Sequence, residues 1–267
     1  MKKMAKALLS KAARNGHCLR MLDLTVVAVA RYVDTQRPEG SIPEQDKYGA
    51  IFERFADYTR ILKPAFCKNL ALVNQFRNVP GAIVECGVWR GGMSAGIACV
   101  LGGRRDYYLF DSFEGLPDAQ EIDGHKAVEW QKMNDVANCR TEESFAYEAM
   151  KLAGVERFHL VKGWFNQTLP AFPPAQRIAV LRLDADWYSS TAECLNYLYR
   201  HVVPNGLIIL DDYYTWDGCS RALHDFLSVN KLRDRIRQCD GLFCYLTKTE
   251  DLPVIMPIDP RGHHSNG

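Results

Sequence analysis

The feature that most constrains this chain is a change of pattern at Gly81, where short apolar runs begin to alternate with helical segments. The apolar runs predict strands at 82–86, 107–110, 157–161, 178–183 and 206–210. The segments between them predict helices near 92–101, 141–153, 190–202 and 219–230. Such alternation is typical of a parallel sheet, and Asp240-Gly241 within 235–248 predicts a closing hairpin. We therefore predict an α/β fold with a doubly wound, mostly parallel seven-stranded sheet that ends in a C-terminal antiparallel hairpin.

The residues on either side of this alternation have a different pattern. Residues 1–76 carry helical patterning without strand signals, and the loop-like stretch 37–45 separates two helical arms. We expect a helical N-terminal extension or lid at 1–76, a sheet domain at 77–250 and a C-terminal tail at 251–267, frayed from Arg261 onward. Since no apolar stretch approaches the roughly 20 residues that a membrane span requires, no membrane partner is predicted.

Composition narrows the class of partner. Lys and Arg total 33 against 32 Asp and Glu, so no basic excess points to nucleic acid or to an acidic membrane surface. The nine cysteines are spread singly, without CxxC or zinc spacing, which favours reduced thiols and a cytoplasmic location. A small-molecule partner is the expectation, and we also expect a homo-oligomer because the helical N-terminal region offers a surface for a second subunit.

In a doubly wound sheet the ligand lies beyond the carboxyl ends of the strands, so the residues after each predicted strand matter most. The first strand runs into VECGVWRGGMS at 84–94, where Gly87, Gly91 and Gly92 allow a tight turn and close approach of a ligand to the backbone. This spacing departs from the dinucleotide fingerprint G-x-G-x-x-G. A sharp strand-to-helix connection without a ligand is the alternative.

Asp111 follows the second strand, 26 residues after Glu85. An acidic residue in this position is suited to accept hydrogen bonds from the ribose hydroxyls of a nucleoside cofactor. Its alternative is a cap for a nearby helix.

Four aspartates follow two neighbouring strands. Asp184 and Asp186 come after 178–183, and Asp211 and Asp212 come after 206–210. Four like charges at one sheet edge repel unless a hard cation joins them, and ligation by oxygen alone is what Mg²⁺ prefers. The alternatives are that some of them cap the following helices or pair with Arg182 or Arg221, and Asp186 is left open.

Five stretches in order resemble the motifs of the macrocin and mycinamicin O-methyltransferase family (TylF/MycF-like). They are VECGVWRGG, YYLFDSFEGLP, VKGWFNQTLP, LRLDADWYSST and LIILDDY, within about residues 76–246. The resemblance implies a class I, Rossmann-like methyltransferase domain at 77–250 that uses S-adenosylmethionine and Mg²⁺ and methylates a hydroxyl of a sugar or phenol of a natural product. It leaves the N-terminal region and a predicted flap at 119–144 outside the matched pattern.

The resemblance also implies roles for individual residues. The glycine turn would hold the methionine part of the cofactor, Asp111 would bind ribose, and Lys162–Phe165 would border the adenine. The implied cofactor contacts are Glu85, Cys86, Gly87, Val88, Arg90, Gly91, Asp111, Ser112, Phe113, Gly163, Trp164 and Asp184. The implied metal ligands are Asp184, Asp211 and Asp212, with Asp184 also the base.

Several hypotheses stay open beside this one. His125 is an alternative base, although a solvated loop residue explains it equally well, and Trp164 and Trp187 are predicted to border the pocket. A nucleotide-dependent oxidoreductase fits the sheet but not the glycine spacing or Asp211-Asp212. A catalytically inactive module that binds a nucleoside cofactor is the other rival.

Overall fold

The computed structural model of the protein describes residues 43–133, 139–251 and 255–262. The chain divides into two compact units, residues 1–47 and 48–267. The second unit contains the sheet and the helical residues that precede it from Tyr48 onward. Among the described residues, no helix is both long enough and apolar enough to cross a bilayer.

The strands are β1 (Ala82–Cys86), β2 (Asp106–Asp111), β3 (Arg157–Lys162), β4 (Ile178–Leu183), β5 (Val202–Leu210), β6 (Arg237–Cys239) and β7 (Phe243–Thr247). The helices are α1 (Pro43–Phe55), α2 (Lys63–Gln75), α3 (Gly92–Leu101), α4 (His125–Met133), α5 (Glu143–Leu152), α6 (Phe165–Thr168), α7 (Tyr188–Leu198) and α8 (Asp217–Val229). Short 3₁₀ helices lie at Ala56–Tyr58, Glu121–Asp123, Leu169–Ala171 and Tyr199–His201.

The seven strands form one sheet in the order β3-β2-β1-β4-β5-β7-β6. Strands β1 to β5 are parallel, and β7 runs antiparallel to both β5 and β6. The chain winds outward from β1 in one direction through β2 and β3, and in the other through β4 and β5. The switch point therefore lies between β1 and β4, and a ligand site is expected at their carboxyl ends. The predicted fold class is confirmed.

Helices cover both faces of the sheet and give it two apolar cores. Strand side chains alternate between these cores, so that Val84 belongs to one and Ile83 to the other. All six residues of β4 are buried, including the charged residue Arg182. A buried cation in a central strand needs partners, and the functional site supplies them.

Two segments differ from the sequence-based prediction. The predicted flap at 119–144 contains a 3₁₀ turn and helix α4, whose start the sequence pattern did not indicate. The helix predicted at 190–202 ends at Leu198, and β5 starts at Val202. The 3₁₀ turn at Tyr199–His201 ends the helical segment, and pairing of Val202 with Ile178 of β4 begins the strand.

Candidate functional site

The glycine turn after β1 brings the ends of β1 and β4 together. Gly87 has φ +85°, and a Cβ built there would lie 1.8 Å from the carbonyl oxygen of Asp184. Any side chain at this position would therefore push the two strand ends apart. Gly91 also has positive φ, at +77°, and precedes the first turn of α3.

Asp111, at the end of β2, holds this turn in place. Its carboxylate accepts hydrogen bonds from the backbone N–H groups of Val88 (2.9 Å), Trp89 (2.8 Å) and Phe113 (2.7 Å). Burial raises the pKa of Asp111, and the three N–H groups oppose that rise. Asp111 is therefore a structural anchor of the turn; its predicted contact with ribose stays a prediction.

Arg182 stands at the centre of a buried charge network. Its Nη1 lies 2.6 Å from Glu85 Oε1 and 2.9 Å from Asp184 Oδ2. Its Nη2 lies 2.7 Å from Asp211 Oδ1, a charge contact that lacks the alignment of a hydrogen bond. We call Arg182, Glu85, Asp184 and Asp211 the inner network. One cation thus contacts carboxylates from three adjacent strands.

Strand register explains why these residues meet. Glu85 of β1 and Arg182 of β4 are direct partners in the parallel ladder, so their side chains project from the same face. Leu183 and Leu210 are partners between β4 and β5, which places Asp184 beside Asp211 one residue further along. The inner network therefore lies on one face of the sheet, with Asp184 and Asp211 two residues beyond the level of Glu85 and Arg182.

Neutral groups complete the inner network. Ser94 Oγ donates to Glu85 Oε2. Asn69 of α2 accepts from Arg182 Nε at 3.3 Å and donates to Asp211 Oδ1 at 3.4 Å. Burial raises the pKa of Glu85 to about 7 although Arg182 and Ser94 act in the opposite direction. Burial likewise raises the pKa of Asp211, against the charge of Arg182.

A second set of carboxylates lies beside the first and shares Asp184 with it. Oxygens of Asp184, Asp186 and Asp212 all lie within 4.8 Å of one another; we call these three residues the outer group. Within the described part of the chain, no ion pair reaches Asp186 or Asp212. Asp186 N donates to Asp212 Oδ2 at 3.2 Å, and Trp216 Nε1 donates to Asp186 Oδ1 at 2.9 Å.

The outer group is electrostatically unfavourable by itself. Burial and the neighbouring charge of Asp184 raise the pKa of Asp186 to about 8. Burial and the charges of Asp186 and Asp184 raise the pKa of Asp212 well above its ordinary value. Asp186 also has φ 56°, in the left-handed region that is uncommon for residues with a side chain. Three convergent hard oxygen ligands of this kind fit a divalent cation such as Mg²⁺.

Two cavities meet at this edge of the sheet, and both are lined by Gly87, Asp111, Gly115 and Asp184. The carboxylate cavity, about 280 Å³, contains the outer group, Asp211, Glu85, Val88 and the rings of Trp89, Trp130 and Trp216. The Trp164 cavity, about 360 Å³, contains Ser112, Gly163, Trp164 and two residues of the C-terminal segment, Pro260 and Arg261. Asp184 therefore stands at the junction of an acidic, aromatic-lined space and a less acidic one.

The structure brings most of the predicted site residues to these cavities, but not all of them. Cys86, Arg90, Gly91 and Phe113 line neither. Arg90 instead lies over the rings of Trp89 (4.5 Å) and Phe145 (4.3 Å). The predicted cofactor contacts of these four residues stay predictions.

The aspartates are arranged differently from the predicted metal set. Asp184 and Asp212 belong to the outer group as expected, and Asp186, which the sequence left open, is its third member. Asp211 lines the same cavity but contacts Arg182, the pairing considered as an alternative in the sequence. Its role as a metal ligand stays a prediction.

The other hypotheses about side chains have mixed outcomes. Trp164 lines its cavity, whereas Trp187 is completely buried and reaches the cavities only through the lining residues that it contacts. Trp187 packs behind Trp216, at 5.2 Å between ring centres. Trp130 and Trp216 border the carboxylate cavity. The sequence pattern placed Trp216 among the aromatic residues after strand ends but did not single out Trp130. The His125 side chain is 84% exposed and pairs with Glu129, which favours the solvated alternative.

Comparison with known proteins shows which family this chain belongs to. The sequence profile of macrocin O-methyltransferases (TylF) matches residues 66–248. The 8-demethyl-8-(2,3-dimethoxy-alpha-L-rhamnosyl)-tetracenomycin-C 4'-O-methyltransferase of Streptomyces olivaceus is 37% identical over 172 residues, which cover 61% of this chain and 64% of that protein. This match thus spans just under two thirds of the relative's length.

Two further matches cover more of the protein compared. Mycinamicin III 3''-O-methyltransferase of Micromonospora griseorubida is 28% identical over 223 residues, covering 80% of this chain and 84% of that protein. The solved structure of the O-methyltransferase NovP has a TM-score of 0.60 and 30% identity, and the match covers 69% of this chain and 81% of that one. Since the family profile spans more than half of the chain and includes both cavities' strand ends, this chain belongs to the macrocin O-methyltransferase family.

Proposed function

We propose that this protein is a Mg²⁺-dependent O-methyltransferase that transfers the methyl group of S-adenosylmethionine to a hydroxyl of a small molecule, a sugar or phenol of a natural product or glycoconjugate. Family membership supports the reaction class, and relatives named for rhamnosyl-tetracenomycin and mycinamicin substrates support the acceptor class. The observation that carries the proposal is the junction of the two cavities at Asp184. A donor in one and an acceptor in the other would meet beside a carboxylate.

The Trp164 cavity is the proposed donor site. Asp111 and Ser112 stand at the end of β2, where ribose hydroxyls would find acceptors, and Trp164 offers an apolar face for the adenine. The glycine turn at Gly87, with backbone close to Asp184, would border the sulfonium end. This assignment keeps the predicted cofactor roles of Gly87, Asp111, Ser112, Gly163 and Trp164.

The carboxylate cavity is the proposed acceptor and metal site. Asp184 and Asp212, which occur in both the predicted set and the outer group, would hold the ion, and Asp186 supplies a third oxygen in this arrangement. When bound, a divalent ion would lower the pKa of a hydroxyl that contacts it and orient that hydroxyl. The rings of Trp89, Trp130 and Trp216 would exclude water from the acceptor.

The proposed reaction transfers one methyl group and one proton. The acceptor oxygen forms a bond to the methyl carbon, the carbon–sulfur bond breaks with its electron pair on sulfur, and the hydroxyl proton passes to Asp184. S-adenosylhomocysteine and the methyl ether are the products. Asp184 is assigned this proton because it stands at the junction of the cavities, within reach of an oxygen that faces the donor.

The decisive experiment measures transfer of a labelled methyl group to sugar-bearing and phenolic acceptors, with Mg²⁺ and with EDTA. Transfer should require Mg²⁺, and Asp184→Asn should lower turnover by at least about 10²-fold while S-adenosylmethionine still binds in calorimetry. The matched control is Asp240→Asn, which neutralises an exposed aspartate in the β6–β7 turn and should leave turnover unchanged.

Each rival hypothesis predicts a different result. A protein that binds S-adenosylmethionine but transfers methyl to no acceptor would be the inactive module, and a protein that does not bind it would not be a methyltransferase. Full activity in EDTA would remove the metal from the proposal, and full activity of Asp184→Asn would remove that residue as the base. The homo-oligomer and the cytoplasmic location stay predictions.

A further inference from the structure

The C-terminal segment predicted to be a tail includes residues 255–262, which pack against the folded domain; we call these residues the strap. Two asparagines hold it through paired hydrogen bonds. Asn230, the residue directly after α8, donates to the Met256 carbonyl (2.9 Å) and accepts from the Met256 N–H (2.7 Å). Asn196 of α7 does the same with Ile258, at 2.8 and 2.9 Å. A carboxamide offers a donor and an acceptor side by side, so each asparagine pairs with a backbone residue as a neighbouring strand would.

Apolar packing supports these two clamps. Ile258 is 6% exposed and belongs to the same apolar core as the inner face of α7. Ile255 packs against that core as well. The strap is therefore part of the folded domain over its described length, whereas the sequence predicted a tail.

A tight turn follows directly and gives the strap a fixed end. In Asp259-Pro260-Arg261-Gly262, the Gly262 N–H donates to the Asp259 carbonyl at 2.9 Å, and Asp259 Oδ1 accepts from the Arg261 N–H at 2.9 Å. Asp at the first, Pro at the second and Gly at the fourth position are the preferred residues of such a turn. Gly262 has φ +72°, and a Cβ there would lie 2.0 Å from Ile122 Cδ1, so the site requires glycine.

This turn projects into the Trp164 cavity. Pro260 and Arg261 line it together with Gly163, Trp164 and Phe165. The Arg261 guanidinium is held by Asp259, with Nε–Oδ1 and Nη2–Oδ2 both at 3.0 Å, so its charge is compensated within the turn. Ser189, Ser190 and Glu193 of α7 line the same cavity, and α7 also carries the Asn196 clamp.

We propose that the strap is a structural wall of the donor site and that Pro260 determines affinity for the adenosine part of the methyl donor. The inference rests on the proposed function, because it takes the Trp164 cavity as the nucleoside site. The clamps of Asn196 and Asn230 are positioning contacts that hold the Pro260–Arg261 turn over the cavity. Contacts at the methionine end and in the outer group do not depend on the strap.

Calorimetry on the full chain tests this with S-adenosylhomocysteine and 5'-methylthioadenosine, which share the nucleoside but differ in the amino-acid part. Pro260→Gly should raise Kd for both ligands about fivefold, the size expected for losing contact with one to two methylene groups. Asn196→Ala removes the clamp at Ile258, two residues from Pro260, and should raise Kd more than Asn230→Ala, which removes the clamp at Met256, four residues from Pro260. Mg²⁺ binding should be unchanged in all three variants.

Met256→Ala is the matched control, because its side chain is 57% exposed while its backbone makes the Asn230 contacts. It should bind both ligands like the wild type. If Asn196→Ala proves too unstable to study, Pro260→Gly and Met256→Ala still decide, since neither removes a clamp.

The outcomes separate the two proposals. If the wild type binds neither S-adenosylhomocysteine nor 5'-methylthioadenosine, the proposed function itself is contradicted. Wild-type binding with unchanged Kd in Pro260→Gly and Asn196→Ala overturns the strap inference alone, even if thermal unfolding shows lower stability. A loss confined to S-adenosylhomocysteine also overturns it, because the strap would then act at the amino-acid end.

Discussion

The inner network and the outer group both gather carboxylates at the same sheet edge, but only the inner network contains a cation. In the inner network Arg182 contacts Glu85, Asp184 and Asp211, whereas Asp186 and Asp212 of the outer group have no ion pair among the described residues. Asp211 and Asp212 are neighbours in sequence but fall on different sides of this division. The inner network has a counterion within the fold, whereas Asp186 and Asp212 of the outer group leave charge for a ligand to satisfy.

Asp184 links the two because it belongs to both. Its Oδ2 contacts Arg182, and an oxygen of the same carboxylate takes part in the outer group. The guanidinium therefore fixes the orientation of a residue that we propose to bind metal and accept a proton. Perturbing each side separately tests whether the division is real.

Removing the cation from the inner network should have the largest effect. Arg182→Met leaves the fully buried Glu85 and the mostly buried Asp211 without a counterion. We expect the free energy of unfolding to fall by about 3–5 kcal/mol. Because protonation removes the uncompensated charge, this deficit should be smaller at pH 5 than at pH 8. Urea unfolding at both pH values measures it.

Arg157→Met is the control for this variant. Arg157 of β3 makes a surface ion pair with Asp106 of β2, and its loss should cost at most about 1 kcal/mol. Equal losses in the two arginine variants would contradict the claim that the inner network depends on Arg182.

The outer group should make the metal-free protein less stable as pH rises. The pKa of Asp186 is about 8 in the folded protein, above its ordinary value of 3.8, so the folded state holds a proton that the unfolded state has lost between these values. Stability present below pH 3.8 should therefore decline toward pH 8, by up to about 1.4 kcal/mol per pH unit for one group. Thermal or urea unfolding in EDTA measures the decline.

Magnesium supplies the internal comparison for that experiment. A cation bound to the ionised carboxylates stabilises the folded state more at pH 8 than at pH 5, because more of the outer group is ionised there. A flat stability profile in EDTA, or equal stabilisation by Mg²⁺ at both pH values, would contradict an outer group with unsatisfied charge.

Much of this arrangement could be predicted from sequence, because it follows from periodicity. The strands 82–86 and 178–183 were located from their apolar runs, and parallel strands necessarily place their carboxyl ends at one edge. That reasoning was enough to gather Asp111, Asp184, Asp211 and Asp212 near one another. The hairpin was predicted separately, from Asp240-Gly241, because an Asp-Gly pair favours a tight turn between two strands.

The division between inner and outer carboxylates could not be predicted in the same way. Which aspartate contacts Arg182 depends on strand register, which sets Glu85 opposite Arg182 and Asp184 beside Asp211. Asp186 reaches the outer group through a positive φ that sequence does not specify. The strap was missed because Asp-Pro-Arg-Gly predicts a turn but not its docking onto Asn196, 62 residues from Ile258.

Neutralising one aspartate at a time should give effects of opposite sign. Asp211→Asn removes a charged partner of Arg182, so we expect the free energy of unfolding in EDTA to fall by about 2 kcal/mol. Asp212→Asn removes a like charge from beside Asp184 and Asp186, so we expect it to rise by about 1 kcal/mol. Urea unfolding of both variants in one buffer makes the comparison direct.

Metal binding in the same two variants sharpens the result. Asp212→Asn should abolish measurable Mg²⁺ binding in calorimetry while S-adenosylhomocysteine still binds. If both variants lowered stability alike, Asp212 would belong to the inner network and the division would be wrong.

The smallest effect should come from the hydrogen bond that orients Asp186. Trp216 Nε1 donates to Asp186 Oδ1 at 2.9 Å, and Trp216→Phe removes this donor while keeping an aromatic ring. A single hydrogen bond to a carboxylate contributes about 1 kcal/mol, so we expect Kd for Mg²⁺ to rise about fivefold. Trp130→Phe alters the same aromatic cluster without removing that donor, and its Kd should stay near the wild-type value. An unchanged Kd in Trp216→Phe would contradict the claim that this hydrogen bond orients Asp186 as a metal ligand.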